Sequence, residues 1–197
     1  TIGFVGVGRM GANMARRLKD FGFPLSAVYD RQSSVAAALA KELGCQAAMD
    51  PAAVAQASQT VITVVTDDAA MDQIFAVDSP TSLLAHAKGR LFINCATVSP
   101  SIHREVEQRV TALGGASLEA CMASSIPQAR QGTLAVLFAE LLARGVQRIH
   151  PAVVEILDHL APGLVPVAEF GENPVERLRQ PRRLVEDPRP CGEHLAL

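Results

Sequence analysis

Short apolar runs alternate with amphipathic segments from the start of the chain. Ile2, Phe4 and Val5 lie in an apolar run short enough for a strand; Met14, Leu18 and Phe21 then recur at helical spacing as the expected buried face of a helix, with Arg16, Arg17 and Lys19 facing out. Gly22 and Pro24 end that helix, and residues 25–30 read as a second strand. Ser33 or Ser34 caps an alanine-rich helix that Gly44 stops, and Asp50-Pro51 pairs an N-cap with a proline at the first helical position. Residues 61–65 form a buried strand, followed by a capping Thr66-Asp67-Asp68. Residues 91–94 form another, after which Ser99-Pro100 opens a helix to about Leu113, stopped by Gly114-Gly115. Further on, 116–120 and 134–138 read as strands around a turn or short helix near Pro127, 146–160 as a helix and 164–170 as a last strand. Strand–helix alternation of this kind predicts an α/β fold, a doubly wound and mainly parallel sheet with helices on both faces.

The junction of the first strand and helix carries the sharpest chemical signal. Gly6, Gly8 and Gly11 are spaced Gly-x-Gly-x-x-Gly, with a strand before them and a helix after, as a Rossmann-type dinucleotide site requires. Gly6 makes the tight turn, Gly8 leaves the backbone bare for a pyrophosphate, and Gly11 lets helix and strand approach. The helix N-terminus adds free N–H groups and partial positive charge. Asp30 ends the second strand nineteen residues after Gly11, where an acid accepts hydrogen bonds from an adenosine ribose. An acid there favours NAD, whereas the guanidinium of the adjacent Arg31 can grip the 2′-phosphate of NADP. A simpler role for Asp30, capping the following helix, accounts for the acid but not for the pair. The choice between NAD and NADP stays open.

Composition narrows the classes. The chain has 197 residues, 49% of them hydrophobic, which is enough for one sizeable domain with a real core. We place that domain at 1–171 and read 172–197, with four prolines and five arginines between Pro174 and Pro190, as a disordered tail. A net charge of −2 without a basic run argues against nucleic acid, and no apolar stretch is long enough to span a membrane. Cys45, Cys95, Cys121 and Cys191 lack metal-ligand spacing and read as free thiols; no metal site is expected. His86, His103, His150 and His159 read as solvated or capping. With no room for a cleavable signal before the first strand, the expectation is a cytoplasmic protein.

The segment Gly3-Phe4-Val5-Gly6-Val7-Gly8-Arg9-Met10-Gly11-Ala12-Asn13-Met14-Ala15 resembles the N-terminal signature of the β-hydroxyacid dehydrogenases. That family includes 3-hydroxyisobutyrate dehydrogenase and shares the NADP-binding domain of 6-phosphogluconate dehydrogenase. Ile93-Asn94-Cys95-Ala96-Thr97-Val98-Ser99-Pro100 is similar to the family's Asp-x-Ser-Thr-x-x-Pro segment. Residues 119–125, with Gly132-Thr133-Leu134 after them, are similar to its substrate loop. The resemblance implies that Gly6, Val7, Gly8, Arg9, Met10 and Gly11 hold the pyrophosphate, and Asp30 with Arg31 the adenosine ribose. It implies that Val65 and Thr66 line the cofactor and that Thr97 lies near the nicotinamide, although Thr97 also reads as a turn residue ahead of a capped helix. The implied chemistry is hydride transfer between NAD(P) and a small hydroxyacid or semialdehyde.

Two departures bear on activity. The family's substrate loop has a serine and two glycines where this chain has Ala123, Ser124 and Ser125, so Ser124 and Ser125 are the candidates for substrate contact. The family's proton-transferring lysine opens a helical second domain; here the lysines are Lys19, Lys41 and Lys88, with Arg177 or Arg179 near the implied position. An arginine binds a carboxylate but does not trade protons at neutral pH. No catalytic residue is therefore assigned, and the helical domain is not recognisable. Three outcomes stay open: a slow oxidoreductase, a catalytically silent dinucleotide-binding module, or a truncated or frame-altered product of a longer dehydrogenase. Homo-oligomers, or pairing through the face a second domain would cover, are expected of the last.

Overall fold

The computed structural model describes residues 1–122, 125–134, 136–138 and positions 156, 159 and 160. Six parallel strands and one antiparallel strand form a single sheet in the order β3-β2-β1-β4-β5-β6-β7. They are β1 (Ile2–Val5), β2 (Leu25–Tyr29), β3 (Gln46–Ala47), β4 (Thr60–Thr63), β5 (Leu91–Asn94), β6 (Ala116–Met122) and β7 (Val136–Phe138). The helices are α1 (Arg9–Asp20), α2 (Ser33–Leu43), α3 (Pro51–Ala57), α4 (Asp68–Ile74), α5 (Pro100–Ala112) and α6 (Ile126–Gln131). Strand order reverses between β1 and β4, which leaves a crevice at their carboxyl ends. The Rossmann-type α/β architecture is the one the alternation predicts.

Register aligns the apolar positions into two cores. Phe4 pairs with Val28 on one side and Ile62 on the other, and Ile62 with Ile93, which pairs with Leu118. That row packs beneath Met14 and Leu18 of α1 and Leu39 of α2, together with Ile156 and Leu160. The opposite face, with Val61 and Phe92, packs against Val54 of α3, Met71 of α4 and Val106 of α5. Position 3 faces the same side, and glycine is needed there because a Cβ would collide with Val54 of α3 and Ser58 at its C-cap.

Several local expectations hold in detail. Asp50 and Asp67 cap α3 and α4, each accepting a backbone N–H at 2.8 Å, from Ala53 and Ala70 respectively. Ser99 caps α5. Others need correction. Phe21 is exposed at the C-cap of α1, so Met14 and Leu18 but not Phe21 belong to its buried face. Neither Ser33 nor Ser34 caps α2; Gln32 is the N-cap residue, because Asp30 Oδ1 accepts the Gln32 N–H at 2.9 Å and starts the turn earlier. The strand read at 61–65 ends at Thr63, and the two-residue β3 was not foreseen. His103 is buried, not solvated, since it falls on the inward stripe of α5 with Val106 and Val110. The proposed strand at 164–170, most of the helix at 146–160 and the tail at 172–197 lie outside the described residues.

Candidate functional site

The glycine loop shows why each glycine is where it is. Gly6 has φ +87°, and a Cβ on it would run into the carbonyl of Val64, the residue after β4. A Cβ on Gly11 would strike the Gly6 carbonyl, so α1 can start this close to β1 only with glycine there. Around Gly8, by contrast, a Cβ would meet nothing within 4 Å. Gly8 is exposed and N-caps α1 with no side-chain bond, so that helix end keeps its first N–H groups free of a side-chain cap. Arg9 is exposed and Met10 half-buried on the first turn.

Asp30 closes one side of this loop. Its Oδ2 accepts the Val7 N–H at 3.0 Å while Oδ1 accepts the Gln32 N–H at 2.9 Å, so one carboxylate links the glycine loop to the start of α2. Arg31, next in sequence, is exposed. Val65 is half-buried and Thr66 exposed in the loop leaving β4, on the far side of the crevice. Thr66 Oγ1 donates to Asp67 Oδ2 at 2.9 Å. The Ala70 N–H, then the Thr66 hydroxyl, hold the Asp67 carboxyl below its ordinary pKa, with a smaller contribution from the positive charge of Arg31.

The next loop is tied to this one. Asp68 Oδ1 accepts the Ser99 N–H at 2.8 Å, which links the loop after β4 to the loop after β5 that carries exposed Thr97. The Ser99 hydroxyl and then its N–H lower the Asp68 pKa. Deeper in the sheet, Thr63 Oγ1 donates to Asn94 Oδ1 at 2.8 Å and Asn94 Nδ2 to Ser117 Oγ at 2.9 Å, a polar chain across β4, β5 and β6. Asn94 and Ala96 stand where the family segment has Asp and Ser.

Ser124 lies outside the described residues. Ser125 is exposed at the start of α6, and both its N–H and its hydroxyl donate to Gln128 Oε1 at 2.8 Å. Lys19 and Lys41 are near the C-terminal ends of α1 and α2, and Lys88 is in the turn before β5. All three are exposed and belong to the amino end of the sheet, opposite the crevice.

The structure also assembles a cluster that spacing did not reveal. His103, Glu119 and Cys121 converge beside Ala96, whose carbonyl accepts from the Cys121 thiol at 3.1 Å. Burial, then the Glu119 carboxylate, pushes the Cys121 pKa up to about 12; burial, then Cys121, does the same to Cys95. The available signal was Glu119 and Cys121 at i and i+2 on one strand, with His103 on the buried stripe of the preceding helix.

A family model described as the NAD binding domain of 6-phosphogluconate dehydrogenase matches residues 1–167. The chain belongs to this family. It carries an NAD(P)-binding domain of the 3-hydroxyisobutyrate dehydrogenase type. Mitochondrial 3-hydroxyisobutyrate dehydrogenase of Mus musculus is 30% identical over 171 residues, which are 86% of this chain and 48% of that protein. The NAD-dependent L-serine dehydrogenase of Pseudomonas aeruginosa is 31% identical over 134 residues, 68% of this chain and 44% of that protein. A solved Mycobacterium tuberculosis 3-hydroxyisobutyrate dehydrogenase with L-serine is 26% identical, with a TM-score of 0.65 over 81% of this chain and 51% of that one. The chain thus spans about half the length of the relatives it matches. Among the described residues, no helix is long and apolar enough to cross a membrane.

Proposed function

We propose that the crevice between β1 and β4 holds NAD(P) for hydride exchange with a small hydroxyacid or its semialdehyde. In this reading Gly6, Val7, Gly8, Arg9, Met10 and Gly11 surround the pyrophosphate, which the exposed N-terminus of α1 attracts. Asp30 and Arg31 bind the adenosine ribose, Val65 and Thr66 flank the dinucleotide, and Thr97 sits beside the nicotinamide. Ser124 and Ser125 are the substrate-side candidates. The observation that carries it is the Val7 N–H to Asp30 Oδ2 bond, which fixes a carboxylate at the mouth of the glycine loop. NAD(P) supplies the hydride acceptor or donor; the chain binds and orients it.

Proton transfer at the alcohol oxygen has no lysine among the described residues at the crevice end. General acid–base catalysis contributes about 10²–10⁴-fold, so turnover by this chain alone is slow. The reading of a silent dinucleotide-binding module draws on the same observation. The domain limits of 1–171 and the tail at 172–197 remain part of this proposal. So do a cytoplasmic setting, which suits the free thiols Cys45, Cys95 and Cys121, and self-association through a face that a second domain would cover.

The test is titration of the chain with NADH and NADPH, followed by cofactor fluorescence, which is clear of tryptophan because the chain has none. Saturable binding abolished by Gly8→Asp supports the site, and its absence overturns it. Turnover of a hydroxyacid and semialdehyde panel, above the Gly8→Asp background, then separates the oxidoreductase from the silent module. Sedimentation at two concentrations tests the association.

A further inference from the structure

At the carboxyl ends of β5 and β6, displaced along the sheet from the β1/β4 crevice, three ligand-type atoms face one another. His103 Nε2 is 3.7 Å from Cys121 Sγ and 3.7 Å from Glu119 Oε1, and Sγ is 3.4 Å from Oε1. Zinc bonds of about 2.3 Å to sulfur, 2.0–2.1 Å to nitrogen and 2.0–2.2 Å to oxygen, at tetrahedral angles, require ligand atoms about 3.3–3.6 Å apart. The three atoms therefore already approximate one face of a zinc tetrahedron.

We propose that His103, Glu119 and Cys121 bind a zinc-class divalent ion, with the fourth position left for water. The donor set is one imidazole, one thiolate and one carboxylate. That mixture suits zinc, whereas calcium and magnesium take all-oxygen shells. The ligands are held by regular elements. Glu119 and Cys121 are two residues apart on β6 and so project to the same side, and His103 points inward from the first turns of α5. The site is partly enclosed: the His103 side chain is 5% exposed and that of Glu119 28%, so an ion has an approach from the Glu119 side. Without a metal, the single thiol proton faces two acceptors, Ala96 O at 3.1 Å and Glu119 Oε1 at 3.4 Å. On binding, the Sγ–H bond breaks, the proton passes to solvent, and an Sγ–metal bond forms without oxidation or reduction. This site uses none of the residues assigned to the dinucleotide, and it stands or falls separately from that assignment.

The experiment uses the full chain in a Cys45→Ser/Cys191→Ser background, stripped of metal by a chelator and titrated with Co²⁺, then Zn²⁺. One equivalent of Co²⁺ is expected to give intense tetrahedral visible bands and a near-ultraviolet thiolate-to-cobalt band, both removed by Zn²⁺. Cys121→Ser abolishes the thiolate band, and Glu119→Gln weakens Zn²⁺ binding by about tenfold or more, as even loss of a ligand's supporting partner does. Circular dichroism checks that each variant folds. If Cys121→Ser does not fold, Glu119→Gln, whose side chain reaches the surface, decides alone. A cobalt spectrum without the thiolate band, a band that survives Cys121→Ser, or unchanged Zn²⁺ affinity in Glu119→Gln overturns the proposal.

Discussion

The Val7 amide donates to Asp30 Oδ2 at 3.0 Å, joining the glycine loop after β1 to the carboxylate that directly follows β2. Val7 is buried, so this N–H has no easy recourse to water. Asp30 thus has a structural duty, satisfying a buried donor, in addition to the proposed ribose contact. Two substitutions separate them. Asp30→Ala leaves the Val7 N–H unpaired and lowers stability by about 1–3 kcal/mol. Asp30→Asn keeps one oxygen for Val7, while exposed Gln32 turns to water, so its urea midpoint stays near the parent's. Removing the charge is expected to raise NADPH affinity relative to NADH in Asp30→Asn, and Arg31→Ala to lower it. If Asp30→Asn leaves the NADPH/NADH ratio unchanged, the carboxylate is not at the ribose.

The three glycines divide in the same way. Gly11→Ala presses a methyl group against the Gly6 carbonyl, and Gly6→Ala combines a left-handed φ with a clash at Val64. Both destabilise the cofactor-free protein, by several kcal/mol where backbone cannot retreat. Gly8 is at φ −62°, where alanine is at ease, with open space around its missing Cβ. Gly8→Ala is therefore expected to change the unfolding midpoint little and still weaken NAD(P)H binding, by occupying the space we propose for the pyrophosphate. Thermal denaturation with and without cofactor reads both effects. Equal loss of stability at Gly8 and Gly11 would contradict this division.

The parts legible in the sequence were those set by local sterics and short-range pairing. Glycine spacing announced the turn at Gly6, and the pairs Asp50-Pro51 and Ser99-Pro100 announced two helix starts, because a cap and its partner N–H lie within one turn. The start of α2 was missed because its turn is set by Asp30, two residues before Gln32, and not by the serines beside it. The short β3 carries too few residues for a pattern. Long-range pairing hid the rest. Glu119 approaches His103 only because α5 returns the chain alongside β5 and β6, and Thr63 meets Asn94 only through the β4–β5 register. The substrate-side reading rests on Ser124 and Ser125. Of these, Ser125 spends its hydroxyl on Gln128, a neighbour three residues away in the capping box of α6.

The polar chain from Thr63 through Asn94 to Ser117 makes a testable coupling. Thr63 and Asn94 are 0% and 1% exposed, so each partner's loss strands the other. Thr63→Val leaves the Asn94 carbonyl without its donor, and Asn94→Leu leaves the Thr63 hydroxyl without an acceptor; each is expected to cost about 1–3 kcal/mol. Together the two substitutions remove both halves of the bond. The double variant should then lose less than the sum of the singles, by about 0.5–3 kcal/mol in a denaturation cycle. Strict additivity would show that the Thr63–Asn94 bond carries no energy of its own.

Asp67 and Asp68 give the loops around the proposed nicotinamide end an acid sensitivity whose sign follows from their partners. Both carboxyls are held below the ordinary range, Asp67 by the Ala70 N–H and the Thr66 hydroxyl, and Asp68 by the Ser99 hydroxyl and N–H. A carboxyl with a depressed folded-state pKa stabilises the fold fully above its unfolded value, about 3.9 for aspartate, and loses that contribution as pH falls through the folded value. Near neutrality the contribution is constant, so the Asp68→Asn variant should trail the parent in melting temperature by the same margin from pH 5 to 7. Below about pH 4 the margin should close, because the parent's own carboxyl becomes protonated. Both groups are exposed, so the margin is small, but its pH dependence is specific. A margin that persists unchanged at the lowest pH would mean that Asp68 acts through shape and not through charge. The link from Asp68 to the Ser99 N–H would then be an incidental contact of the two loops.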